Sequence, residues 1–356
     1  MATLFDPVQI GDLQLKNRIV MAPLTRMRNF NERSPGPINV KHYVQRASAG
    51  LIITEATSVT PQGVGYPDTP GLWSDAQIAG WRSVTSAVHD AGGLIVAQLW
   101  HVGRVSDPVY HGGRLPVAPS AIALEGQVNR LDPKRPYPVP RSLETDEIPG
   151  LVEDFRVAAV NALRAGFDGA ALHAANGYLF DQFLHDGSNK RTDRYGGPIQ
   201  NRARFLMESL DALLTVWPAG RIGVHLNLMS SSYSMSDTDP RALFSYVADQ
   251  LGARKIAFIF AREALDRGDQ QIGREVRRLF KGAYIVNESL TKDSAQQAIE
   301  CGDADAAAFG RLFIANPDLV ERFRSGAALN ALKSETIYMD DETGYNDYPL
   351  LGEAAE

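Results

Sequence analysis

Cysteine is nearly absent from this chain. Cys301 is the only one among 356 residues, so no disulfide can form within the chain. That fits a reducing compartment. Cys301 follows a helical segment, Ser294–Ile299, and reads as a small residue at a helix end. Long apolar runs are missing too. Nowhere do 18 apolar residues stand together, so no membrane-spanning helix is expected. The stretch from Met1 to Val20 lacks a basic segment followed by an apolar one, the pattern of a secretory signal. The expectation is a soluble, cytoplasmic protein. Excess charge is small: 36 Lys and Arg against 42 Asp and Glu leave −6. Such a balance argues against nucleic acid or an anionic membrane as the main partner.

Several catalytic signatures are also missing. The seven histidines, His42, His89, His101, His111, His173, His185 and His225, form no H-E-x-x-H pair, so no metal site is expected. There is no G-x-S-x-G elbow and no P-loop. The nearest approach to a dinucleotide fingerprint is Gly63-Val64-Gly65, which fails because Asp68 stands where the third glycine belongs.

What is present is an alternation. Short apolar runs read as strands at Asn17–Leu24, Gly50–Thr57, Gly93–Trp100, Gly169–Asn176, Arg221–Leu228, Lys255–Arg262, Ala283–Asn287 and Ala306–Leu312. Their near-continuous apolar character suits parallel strands covered on both faces. Between them lie amphipathic segments at Pro35–Ala47, Ser74–Ala91, Glu147–Ala165, Pro198–Trp217, Pro240–Gly252, Gly273–Phe280 (the weakest pattern), Thr291–Glu300 and Asn316–Arg324. Pro198, Pro240 and Pro317 sit where a first helical turn tolerates proline. Eight strand–helix units predict one (β/α)8 barrel across residues 1–356. Two segments stand outside the alternation. Phe5–Lys16 reads as a hairpin turning at Gly11-Asp12, placed to plug the barrel bottom. His101–Thr145 is a proline-rich insertion after strand three, expected to cover the active site.

Barrel active sites gather at the C-terminal ends of the strands. There this sequence is rich in amide, hydroxyl and aromatic groups, which suits an organic cofactor better than a metal. Gly310-Arg311 ends strand eight. Strands seven and eight form the usual phosphate site of barrels, which makes Arg311 a candidate phosphate ligand. His173-x-x-Asn176 with Tyr178 ends strand four. Alternate strand residues face opposite ways, so His173 and Asn176 meet only if the strand ends between them. Together they would donate hydrogen bonds to one oxygen. Tyr178 would be a neutral proton donor, with an ordinary pKa of about 10. That combination stabilises an enolate and then protonates it. The residues alone equally admit a half-buried histidine beside a packing tyrosine.

His173–Phe205 (HAANGYLFDQFLHDGSNKRTDRYGGPIQNRARF) resembles the Old Yellow Enzyme family of flavin ene-reductases. So do Ala22–Arg26 (APLTR), Gly50–Thr57 (GLIITEAT), Gln98–Arg104 (QLWHVGR), Phe309–Leu319 (FGRLFIANPDL) and Gly344–Pro349 (GYNDYP). The similarity runs in order from Leu4 to Leu351, and its bacterial NADPH-dependent branch is the nearest in character. The resemblance implies noncovalent FMN, with NADPH or NADH as hydride donor and an enone, maleimide or nitro compound as substrate. By similarity Pro23, Leu24, Thr25, Ala56 and Gln98 lie along the flavin ring, Gly310 and Arg311 hold the phosphate, and Asn287 and His225 border the cofactor. His173 and Asn176 match the pair that binds the substrate oxygen. Tyr178 matches the proton donor, and Tyr66, Trp100 and Tyr345 match pocket-lining positions. A nicotinamide stacked on flavin needs no dinucleotide fingerprint, which fits its absence.

Two departures stand out. His225 occupies a place where many relatives carry an arginine facing the flavin. A lower flavin potential, or one dependent on pH, is therefore expected. Asn287-Glu288-Ser289 replaces a glycine-rich phosphate loop, so Glu288 is expected to point away from the phosphate. The stretch from Asn227 to Met235 is atypical as well. Three other readings remain: a nitrate ester or nitroaromatic reductase, a phosphate-binding barrel lyase or isomerase, and a redox-silent flavin-binding protein. The sequence leaves monomer and homodimer equally open.

Overall fold

The structure is a computed structural model and describes residues 2–229, 232–265 and 271–353. Eight strands run in parallel: β1 (Ile19–Met21), β2 (Leu51–Ile53), β3 (Ile95–Trp100), β4 (Gly169–Ala174), β5 (Ile222–Asn227), β6 (Phe258–Arg262), β7 (Ala283–Asn287) and β8 (Ala306–Phe309). Each pairs with the next, and β8 pairs back onto β1, closing a (β/α)8 barrel.

Period-two alternation decides what fills it. Val20, Leu51, Ile53, Val96, Ala171, Phe258, Phe260, Ile285 and Ala306 form one apolar cluster inside the barrel. Gly223 makes room for it, because a Cβ there would lie 2.2 Å from the Phe258 ring. The alternate residues pack outward against the helices in a second, larger cluster. Ile10, Leu13 and Leu15 of the N-terminal hairpin (Val8–Ile10 with Leu13–Leu15) belong to the inner cluster. Its turn docks beneath β5, where the Asp12 amide donates to the Gly220 carbonyl at 2.7 Å. The hairpin thus plugs the N-terminal mouth, as expected.

The strand ends differ from the sequence reading, and each difference has a local cause. The second strand stops at Ile53, and Thr57–Ser58 resumes beside β3. The break frees the buried Glu55 carboxylate to accept from the Arg26 amide at 3.1 Å. The fourth strand stops at Ala174 because Asn176 and Gly177 take φ of 58° and 78°. The sixth starts only at Phe258, since Lys255 ends the preceding turn at φ 55°. The eighth stops at Phe309, and Arg311 opens a short helix, Arg311–Ala315. The weak helix slot is filled by Gly273–Phe280 as read, and Pro198–Trp217 becomes Ile199–Arg202 followed by Arg204–Leu214. Among the described residues no helix is long and apolar enough to cross a membrane. Cys301 caps the helix Lys292–Glu300 and is exposed.

Candidate active site

A cavity of about 1100 Å³ opens above the C-terminal ends of the strands. A second, of about 370 Å³, continues it towards the ends of β7 and β8. Pro23, Leu24, Asn176, Arg262 and Arg311 border both. Thr25, Ala56, Gln98, Tyr66, His173 and Tyr178 line the larger one. His225, Asn287 and Gly310 line the smaller. The insertion after β3 contributes Gln127–Leu131 and Lys134 to the wall of the large cavity, so it does cover the site. Its base is a parallel pair, Val117–Ala118 with Arg141–Ser142.

The end of β4 explains the central cluster. The left-handed turn at Asn176 swings its side chain to the cavity. Asp181, in the short helix Leu179–Leu184, fixes that turn by accepting from the Gly177 amide at 2.7 Å. The Asn176 carbonyl oxygen accepts from Asn227 Nδ2 and from an Arg262 Nη1–H, each at 3.0 Å. With its oxygen held twice, the Asn176 NH2 is left to donate elsewhere.

Below it lies a layer of imidazole. His173 and His225 are register partners on β4 and β5, and their rings stack at 4.7 Å. Gln98 donates from Nε2 to His225 Nδ1 at 3.1 Å, which puts the ring proton on Nε2. Burial pushes the His173 pKa down to about 3. Burial also holds His225 well below the usual histidine value, helped by His173 and by the Arg262 charge. Both rings are therefore neutral. His173 Nδ1 and His225 Nε2 are buried and meet no partner among the described residues.

Three phenols meet at the far rim. Tyr66 Oη lies 3.1 Å from Tyr178 Oη and 2.7 Å from Tyr233 Oη. Asn129, from the insertion, donates to Tyr233 Oη at 2.6 Å. Burial raises the Tyr178 and Tyr66 pKa values well above the phenol norm; both neighbouring tyrosines add to this for Tyr66, and Tyr233 adds to it for Tyr178 against the Tyr66 hydrogen bond. Both hydroxyls stay protonated at neutral pH.

Two expected lining residues do not reach the cavity. Trp100 is fully buried behind Tyr66 and meets Tyr178 edge-on at 5.0 Å, so it shapes the wall from the second layer. Tyr345 is fully buried elsewhere. It stacks on His42 at 3.8 Å, under the guanidinium groups of Arg26 and Arg28. Those arginines hold the C-terminal segment: Arg26 donates to the Gly344 carbonyl, and Arg28 to those of Thr336, Ile337, Asp341 and Thr343. The lining aromatic is instead Tyr338, with the Arg130 guanidinium 3.8 Å over its ring. Tyr233, Arg262 and Tyr338 were all missed from sequence. Only Arg262 carried a readable signal, as a charged residue ending an apolar strand.

The comparisons with known proteins agree with this geometry. The model of the NADH:flavin oxidoreductase / NADH oxidase family matches residues 3–330. The chain belongs to the Old Yellow Enzyme family. A solved structure of morphinone reductase in complex with tetrahydroNAD is 48% identical, with a TM-score of 0.95 over 99% of this chain and 98% of that one. The Old Yellow Enzyme homologue from Zymomonas mobilis is 46% identical, with a TM-score of 0.95 over 98% and 100%. A Leishmania infantum protein named as a probable flavin mononucleotide-dependent alkene reductase is 43% identical over 97% of this chain and 96% of its own. 12-Oxophytodienoate reductase 1 of Oryza sativa subsp. japonica is 40% identical over 99% and 94%.

FMN is the group that Old Yellow Enzymes imply, and the residues fit its ring system. The joined cavities offer the space, and the two unpartnered imidazole nitrogens need a ligand to satisfy them. The far end fits the phosphate less simply. Glu288 and Ser289 take φ of 117° and 52°, where glycine is at ease. The Glu288 carboxylate pairs with Arg262, through Nε and through Nη2 at 3.3 Å to its other oxygen. It is turned onto Arg262 while its residue still lines the smaller cavity. Arg311 is exposed at the mouth of both cavities and makes no ion pair among the described residues. No group of three metal-ligating side chains is found among the described residues.

Proposed function

We propose that this chain is an NAD(P)H-dependent FMN ene-reductase that reduces activated C=C bonds of α,β-unsaturated carbonyl compounds. Nitro compounds that present an oxygen in the same way fall within its reach. The observation that carries this reading is the Asn176 amide. Asn227 and Arg262 lock its oxygen, so its NH2 faces the cavity beside His173.

Pro23, Leu24, Thr25, Ala56 and Gln98 would seat the flavin ring, His225 would border it, and Arg311 would stand at the phosphate. When bound, FMN supplies the hydride that it has taken from reduced nicotinamide. His173 and Asn176 donate to the substrate oxygen and draw charge from the alkene, making its β-carbon electrophilic. Neutral His173 suits this task, because a hydrogen-bond donor is needed there and a proton donor is not. Tyr178 gives its hydroxyl proton to the α-carbon. Tyr66 holds that hydroxyl in place, and a proton taken from solvent by half-buried Tyr233 would pass through Tyr66 to restore it. Asn129 of the insertion holds Tyr233 in position.

The test is anaerobic turnover of 2-cyclohexenone with NADPH, followed by gas chromatography. One cyclohexanone per NADPH consumed is expected, and the doubly substituted His173→Ala/Asn176→Ala protein should lose this yield while its flavin is still reduced by one equivalent of NADPH. Unchanged turnover in the double variant would remove the oxygen clamp from the account.

A further inference from the structure

The end of β7 presents hydrogen-bond acceptors where a phosphate needs donors. One Asn287 Nδ2 hydrogen goes to the Ala308 carbonyl at 2.8 Å, which leaves the Asn287 carbonyl oxygen and one N–H for the cavity. Glu288 adds a carboxylate to the same wall. Arg262, the nearest cation, is already spoken for. Its Nε and Nη2 bind Glu288, and its Nη1 binds Asn176. A phosphate monoester is acceptor-only and carries nearly two negative charges at neutral pH. Beside Glu288 it meets a like charge and carbonyl oxygens, with Arg311 as the one unpaired arginine on that wall among the described residues. A sugar-alcohol terminus is the opposite case. Its hydroxyls donate, and a carboxylate keeps lone pairs free even when bidentate to arginine.

We propose that this flavin site selects for the ring and ribityl chain and not for the phosphate, so that it takes riboflavin about as readily as FMN, with Glu288 as the specificity-determining residue. The inference rests on the flavin reading above. Arg262 is the positioning residue: its guanidinium ties Glu288, just after β7, to Asn176, just after β4, across the floor between the two cavities.

The experiment uses the full chain, stripped of flavin under mild denaturant and refolded, and titrated with FMN and with riboflavin by quenching of flavin fluorescence. Wild type should bind the two with dissociation constants within about tenfold of each other. Glu288→Gly should shift that ratio towards FMN by about tenfold or more, through loss of the like charge and a relaxed backbone. Glu288→Gln keeps the side chain's shape and should shift the ratio in the same direction; it carries the test should the glycine variant fail to refold. A wild-type preference for FMN beyond about tenfold would overturn the proposal while leaving the flavin reading intact. An unmoved ratio in the variants would overturn the role of Glu288. Failure of both flavins to bind would overturn the flavin reading itself.

Discussion

Tyr178→Phe removes a single oxygen atom from the rim of the cavity. In the wild type that oxygen lies 3.1 Å from Tyr66 Oη, and Tyr66 also bonds Tyr233 at 2.7 Å. The variant leaves Tyr66 with one partner, so no buried hydroxyl is orphaned and the loss of stability should be about 1 kcal/mol. The effect on chemistry should be far larger. A positioned general acid contributes about 10²–10⁴-fold, or roughly 2.7–5.4 kcal/mol of barrier. The assay separates the two halves of the cycle in an anaerobic stopped-flow instrument. Bleaching of the flavin by NADPH needs no proton from Tyr178 and should change by less than about twofold. Recolouring by 2-cyclohexenone should slow by about 10²-fold or more. Burial raises the Tyr178 pKa, so the phenol stays protonated as the pH rises through the ordinary phenol value. The wild-type recolouring rate should therefore be flat from pH 6 to 9. Equal slowing of both halves, or none in the second, would refute the assignment of Tyr178.

Further outcomes follow from the same geometry. His173→Ala or Asn176→Ala should each cost about 10²–10³-fold in kcat/KM for an enone, as for lost oxyanion donors; a change confined to NADPH oxidation would contradict the clamp. His225→Arg places a permanent cation where burial keeps the imidazole neutral. It should raise the flavin potential by about 30–60 mV, for roughly 1.4–3 kcal/mol on a two-electron couple. Redox titration checks this, and a wild-type potential that bends at a histidine-like pKa between pH 6 and 8 would show His225 charged. Acid should unfold the protein early. His101 and His173, both pushed down to about 3 by burial, favour folding above about pH 6.5, where the unfolded chain is also neutral. That stability drains away as the pH falls from there towards 3, by roughly 2.7 kcal/mol per unit for the two together. His185, whose pKa is raised by Asp181 against its own burial, has its full stabilising effect below that same point and adds no slope. Urea midpoints that stay level from pH 6 to 4.5 would contradict the buried neutral layer.

Much of the barrel was legible because parallel strands covered on both faces leave long apolar runs. Ala283–Asn287 fell on its observed bounds for that reason. The helix Gly273–Phe280 did so too, ending at Lys281 in the left-handed region. Ends were read too long wherever a polar residue turned the chain, as at Asn176 and Lys255, because a left-handed φ at a non-glycine residue leaves little trace in composition. The cavity-lining set was carried mostly by the family resemblance. It failed at Tyr345, where a motif match could not show which of two tyrosines seven residues apart faces the cavity and which stacks on His42. Tyr233 and Arg262 stayed hidden because their meaning lies in long-range partners. Tyr233 meets Asn129 across 104 residues of chain, and Arg262 meets Asn176 across 86. No periodicity records such pairs.

The central claim is that hydride reaches an activated alkene at the cavity floored by His173 and Asn176. The most direct test is one anaerobic cycle watched by flavin absorbance: one equivalent of NADPH, then 2-cyclohexenone. The account predicts bleaching, then full recolouring with one cyclohexanone per flavin. A flavin that bleaches but is restored by oxygen alone, with the enone left unreacted, would contradict it.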